Sequence, residues 1–253
     1  MTNLQLPTTD FFASLPLTLP ASPYPESLTL FLLLLILSES RSFYPGSGIF
    51  KLLTSLSFLL GGFSRASTPP LLRLGLILSL FGDAFLIPSK THYFHPDAAG
   101  QGLTLRFRLG TLSFGLAHIA YAVAFVQSSA AEEFVWASFA KVAVPGVVLA
   151  AVIAASVKRE ERPLVMGYAG VIMAMVGAAA GTGGGQRLVG AMMFLVSDLF
   201  VAADTFDGDK GKKAPMKENV KGKRVSGGRN GWIPRAVGWV LYFWAQMVLA
   251  GCI

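Results

Sequence analysis

Eight stretches of the chain, at approximately 27–38, 46–63, 71–87, 109–126, 134–156, 164–180, 188–203 and 232–253, are apolar along most of their length. About 20 such residues cross a hydrocarbon core of about 30 Å at 1.5 Å per residue. In lipid every backbone N–H and C=O has to be satisfied within the protein, which restricts apolar runs of this length to helices. With 53% hydrophobic and 14% charged residues among 253, and a mean hydropathy of +0.57, the chain lies outside the balance of soluble domains. The expected fold is all-α: one polytopic transmembrane bundle of about eight spans covering residues 1–253. The connections are mostly brief, which makes neighbouring helices antiparallel.

Two segments stand apart from the spans. Residues 1–26 are polar and proline-rich, with Asp10 but no basic residue in the first 25, a pattern unlike a cleavable signal peptide; the first apolar helix is expected to act as the targeting signal. Residues 207–231 form a basic, Gly/Lys-rich loop. Extended to Arg235, it holds nine Lys/Arg against three Asp/Glu and carries +6 of the formal +7. The loops after the first, third, fifth and seventh spans share one face with Arg41, Lys90, Arg106, Lys158, Arg159 and Arg162; the opposite face offers little beyond Arg65 and Arg187. By the positive-inside rule the basic face is cytoplasmic and both termini lie opposite. The loop lacks interleaved aromatics and is tethered between two spans, so nucleic acid is not an expected partner. Attraction to anionic lipid headgroups and a merely solvated topogenic role are equally compatible with it.

Two aspartates lie inside apolar segments: Asp83 in LRLGLILSLFGDAFLIP and Asp198 in RLVGAMMFLVSDLFVAADTF. An intramembrane carboxylate costs at least a few kcal/mol, so it faces a protein interior or a wet cavity. Asp83 is on the third segment and Asp198 on the seventh, followed by similar continuations, GDAFLI and SDLFVA. This pattern suggests a four-plus-four parallel repeat that brings both carboxylates to matching depth. Lys51 comes into the second segment from the same face and can approach as a counter-charge. His118 and Tyr121 share one helix face at i and i+3, and Tyr242 and Gln246 share another at i and i+4. Tyr168 and Ser197 complete the inward set, although an interhelical hydrogen bond is the commoner role for such groups. Arg73 reads as a residue that snorkels to an interface.

Other chemistries find little support. Cys252 is the single cysteine, which excludes an intrachain disulfide and a cysteine metal cluster. The motif THYFHPD, with His92, His95 and Asp97, has poor metal-ligand spacing, and neither a metal nor another cofactor is expected. No GxSxG elbow is present, and GTGGGQR at 181–187 lacks the lysine of a phosphate-binding loop and reads as a turn.

From about Lys51 to Gln246 the chain resembles the YhhN-like lysoplasmalogenase family of eight-helix membrane proteins. The resemblance is carried by LILSLFGDAFLI, FRLGTLSFGLAHIAYAVAF, YAGVIMAM, GAMMFLVSDLFVAADTF and LYFWAQ, in that order. It departs at Leu52, where the family tends to have proline, and in longer loops at 89–105 and 207–231. What the resemblance implies is hydrolysis of the vinyl ether bond of a lysoplasmalogen to a fatty aldehyde and glycerophosphoethanolamine or glycerophosphocholine. Asp83 and Asp198 would then be the catalytic pair, Ser197, His118, Tyr121, Tyr168, Tyr242 and Gln246 would position water and substrate, and Lys51, Arg106 and Arg108 would meet the phosphate. The implied location is the endoplasmic reticulum membrane in a eukaryote or the cytoplasmic membrane in a bacterium. A lipid or proton-coupled transporter, or a lipid sensor, could use the same intramembrane carboxylates.

Overall fold

The computed structural model describes residues 17–94, 103–129, 134–206 and 232–252. The described residues form helices α1 (Tyr24–Ser40), α2 (Tyr44–Ser64), α3 (Pro70–Phe85), α4 (Lys90–Phe94), α5 (Leu105–Gln127), α6 (Trp136–Ser156), α7 (Arg162–Gly181), α8 (Gly185–Phe206) and α9 (Trp232–Ala250), with no strand among them. Proline sits in the first turn of α1, α2, α3 and α7, where its missing N–H has no intrahelical partner to lose. Thr104 caps α5 by accepting a hydrogen bond from Phe107 N at 3.2 Å. The glycine-rich segment after α7 is the turn expected, with Gly183 in the left-handed region at φ 64°.

All eight apolar segments are helical, and α4 is an additional short helix in the third connection. Six helices, α2 and α5 to α9, are long and apolar enough to cross a membrane. Among the described residues α1 and α3, with 17 and 16 residues, are shorter than these six. They nevertheless run from one end of the bundle to the other. At one end Arg65 bonds Gly251 O at 3.0 Å, Arg73 bonds Arg65 O at 2.9 Å near the Phe63 ring, and Gln186 clamps Thr18 and Val248. At the other, Tyr44 bonds Pro88 O at 3.0 Å and packs on Tyr93. Both described ends of the chain thus lie at the same end, where Arg73 is held by the carbonyls of Arg65 and Ala66. The basic 207–231 loop, the first 16 residues, His95 and Asp97 lie outside the described residues.

Packing bears out the repeat. In the first half α1 pairs with α2, α2 with α3 and α3 with α5; in the second, α6 pairs with α7, α7 with α8 and α8 with α9. The halves meet reciprocally, α5 on α7 and α9 on α2. Small residues permit matching close approaches. A β-carbon at Gly110 of α5 would stand 3.4 Å from Gly82 O of α3; at Gly238 of α9 it would stand 3.8 Å from Ser197 O of α8. Eight residues before each aspartate, Gly75 lies against the Tyr121 ring and Gly190 against Leu249. The central core is filled by Leu28, Leu35, Phe58, Leu76, Phe125, Met175, Phe243 and Met247 from both halves.

Candidate active site

Each aspartate lies on the third long helix of its half, and the reciprocal packing gives each one neighbours from both halves. Asp83, 2% exposed near the end of α3, accepts from Tyr242 Oη of α9 at 2.6 Å. Ser55 Oγ of α2 lies 2.8 Å from the same oxygen and shares its proton with Lys51 O at 3.0 Å. Lys51 Nζ is 3.4 Å from the other carboxylate oxygen. Asp198 of α8 accepts from Tyr168 Oη of α7 at 2.5 Å. Behind it, His118 Nε2 of α5 is 3.1 Å from Tyr168 Oη and 3.8 Å from the carboxylate. Asp198 is the more accessible, its side chain 19% exposed. The Ser197 hydroxyl bonds Phe194 O at 2.7 Å and only approaches Asp198 Oδ1, at 3.5 Å.

Both aspartates line one cavity of about 610 Å³. Phe114 and Tyr242, at matching positions of α5 and α9, meet edge to face at 5.7 Å and form part of its wall. One side is apolar, lined by Gly146, Leu149, Ala150 and Ile153 of α6 and by Ile172 and Met173 of α7. The end near the α3–α4 connection is polar, with Glu39, Ser47, His92, Tyr93, Arg106 and Arg235. Such a cavity suits a long apolar chain with a charged head. Burial and nearby Glu39 push the Tyr93 hydroxyl up to about 12.

The other sequence-predicted residues fall into three groups. Lys51, Tyr168, Ser197, Tyr242 and Arg106 reach the cavity. Lys51 is engaged with Asp83, so its position is that of the counter-charge. His118, Tyr121 and Gln246 are completely buried and do not line the cavity. His118 touches Asp198 through Tyr168, while Tyr121 donates to Gln246 Oε1 at 2.7 Å and lies 3.3 Å from Ser79. Arg108 is not brought to the cavity at all: it faces a small separate recess with Glu160 and Glu161. Arg106 and Arg108 are two residues apart on a helix and so point to opposite sides.

The sequence reading did not single out Ser55 or Ser47, which extend Lys51 into a stripe at i−4 and i+4 on α2 and could have been found by that period. Glu39, Tyr93 and Arg235 carried no comparable signal, because they meet only through the folding of α1, α4 and α9 around one cavity end. Among the described residues no group of three or more His, Cys, Asp or Glu could hold a metal ion.

A family model described as the YhhN family matches residues 46–253, which takes in all of the helices that carry the two aspartates and their partners. No curated protein and no solved structure matches the chain.

Proposed function

We propose that this chain, which belongs to the YhhN family, is a membrane-embedded lysoplasmalogenase that hydrolyses the vinyl ether bond by aspartate acid–base chemistry. The observation that most supports this is the opening of two intramembrane aspartates, one from each half, into a single cavity with an apolar side and a charged end. Vinyl ether hydrolysis needs a proton delivered to the β-carbon and a negative charge beside the oxocarbenium ion that results. Water then adds to the α-carbon, and the hemiacetal collapses to the aldehyde and the glycerol hydroxyl; the net reaction consumes one water.

The surroundings of the two carboxyl groups suggest a division of labour. Asp83, with Lys51 on one oxygen and Tyr242 on the other, is the group held in place to face developing positive charge. Asp198 is the more accessible, and its Oδ1 has only the distant approach of Ser197. It is the proposed proton donor, and His118–Tyr168 is the path by which it is reprotonated. The alkenyl chain lies along α6 and α7 and the headgroup at the polar end. The host membrane is the one carrying the substrate, the endoplasmic reticulum in a eukaryote or the cytoplasmic membrane in a bacterium.

The test is aldehyde release by purified protein in detergent from a vinyl-ether lysophospholipid, beside its alkyl-ether and acyl counterparts. Aldehyde from the vinyl ether alone is expected. Folded protein that releases none would overturn the proposal and favour a carrier or sensor.

A further inference from the structure

The two halves share a helix order but close differently. In the first half α9 packs on α1 and α3 as well as on α2. Its equivalent α5 packs on α7, but among the described residues it has no comparable backbone packing on α6 or α8; it meets α8 through the rings of Phe114 and His118 on Phe194. The aspartates carry the same difference. Asp83, in the closed half, has a side chain 2% exposed, and Asp198, in the other half, one 19% exposed.

Helix α6 shows where the second half is open. Its first part is docked on α7: Val135 N donates to Gly181 O at 2.8 Å, Phe139 lies against Gly177, and Gly146 lies against Met173. Pro145 then interrupts the hydrogen-bond ladder of α6. Past Gly146 the buried residues of the helix are Ala150 and Ala154, whereas α1 buries Leu28, Leu32 and Leu35. In lipid, helices are held together by close packing of their side chains, so a seam without such packing is not sealed against hydrocarbon.

The cavity reaches the outside along this seam. Leu149 of α6 and Leu199 of α8 both line it, yet are 47% and 42% exposed. Each lies about 10 Å from the end of its helix, and α6 and α8 run the same way, so the two stand at one depth. Just outside them Val148 of α6 and Val196 of α8 are exposed and do not line the cavity. Both helices are long and apolar enough to cross a membrane, so this outer surface meets lipid chains. Asp198 is one residue from Leu199, directly inside the opening.

We propose that the seam between α6 and α8, at Leu149 and Leu199, is a lateral entrance through which the hydrocarbon chain of a single-chain lipid passes from the bilayer into the cavity. This rests on the reading above in taking such a lipid as the occupant, and adds the route and the side of entry.

The test uses full-length protein in phosphatidylcholine vesicles and a single-chain alkyl-ether phospholipid, which cannot be hydrolysed, with a diazirine at its chain end. Illumination at increasing times after the probe is added, followed by peptide mass spectrometry, gives the rate at which the inner residues Ala169, Ile172 and Met173 are labelled. Leu149→Trp with Leu199→Trp is expected to slow this labelling about tenfold, the scale of one overpacked side chain. Val148→Trp with Val196→Trp, bulky changes on the outer surface of the same helices, should leave the rate unchanged. If the first pair does not fold, Leu199→Trp alone decides the matter, with a slowing of about threefold expected. Labelling at the wild-type rate in the folded entrance variant, or equal slowing in the outer pair, would overturn the inference. Unslowed labelling with aldehyde release intact would refute this entrance alone; slowed labelling by a protein that releases no aldehyde would refute the chemistry alone. A wild-type cavity that is not labelled would refute both.

Discussion

Removing Lys51 should expose how strongly the Asp83 site depends on its ion pair. The charges are 3.4 Å apart, with side chains 12% and 2% exposed. At an effective dielectric constant of about 20 their Coulomb attraction is about 5 kcal/mol. Desolvation of both groups offsets much of this, and Tyr242 and Ser55 still bond the carboxylate when Lys51 is absent. Lys51→Met is therefore expected to cost about 3 kcal/mol, the lower part of the range for breaking a buried pair. Asp83→Asn keeps the shape and should cost about 2 kcal/mol, because it leaves the ammonium without its counter-charge. The double variant has no orphaned charge and should cost about 2 to 3 kcal/mol, well below the sum of the singles. The assay is reversible unfolding of the four proteins in mixed micelles with a chemical denaturant. Additivity within about 0.5 kcal/mol would show that the two groups are not coupled and would refute the pair.

Three further outcomes follow from other parts of the structure. Tyr168→Phe removes the 2.5 Å bond to Asp198 and should lower kcat about 10- to 100-fold with little change in KM, read from steady-state aldehyde release; a change confined to KM would contradict a role in proton delivery. Gly75→Ala forces a methyl into the Tyr121 ring and Gly190→Ala places one 2.7 Å from Leu249, so each should cost about 1 to 3 kcal/mol in thermal unfolding, while Gly167→Ala, with no neighbour within 4 Å, should be neutral or stabilising. Burial pushes the Cys252 thiol from 9.0 up to about 12, against the pull of Arg187 and Arg65, so at pH 7.5 it stays protonated and should resist maleimide in the folded protein. The sign also sets a stability window: the unfolded thiol ionises first, so this contribution is intact below about pH 9 and is lost as pH rises toward about 12. Rapid labelling of folded protein would contradict the buried placement.

The helices were legible because lipid leaves an apolar run no other backbone solution, and the convergence of Asp83 and Asp198 was legible because their helices occupy the same place in each half. What the apolar pattern cannot convey is length at the margins: α1 and α3 stop at 17 and 16 residues and are held through their neighbours. Nor does sequence depth give rotation about a helix axis. Arg106 and Arg108 lie at nearly the same depth, yet only Arg106 reaches the cavity. Similarly, His118 and Tyr121 share a helix side but contact different neighbours, Tyr168 of α7 and Gln246 of α9. Glu39 was beyond reach because its surroundings are assembled from α1, α2 and α4, and a carboxylate near a helix end ordinarily reads as a solvated loop residue.

The most direct test of aspartate-catalysed protonation is the mass of the aldehyde formed from a vinyl-ether lysophospholipid in deuterium oxide, trapped by reduction as it is released. One deuterium on the carbon next to the carbonyl, with turnover abolished in Asp198→Asn and in Asp83→Asn, is the expected result. Aldehyde released without deuterium at that carbon, or undiminished turnover in either variant, would contradict it.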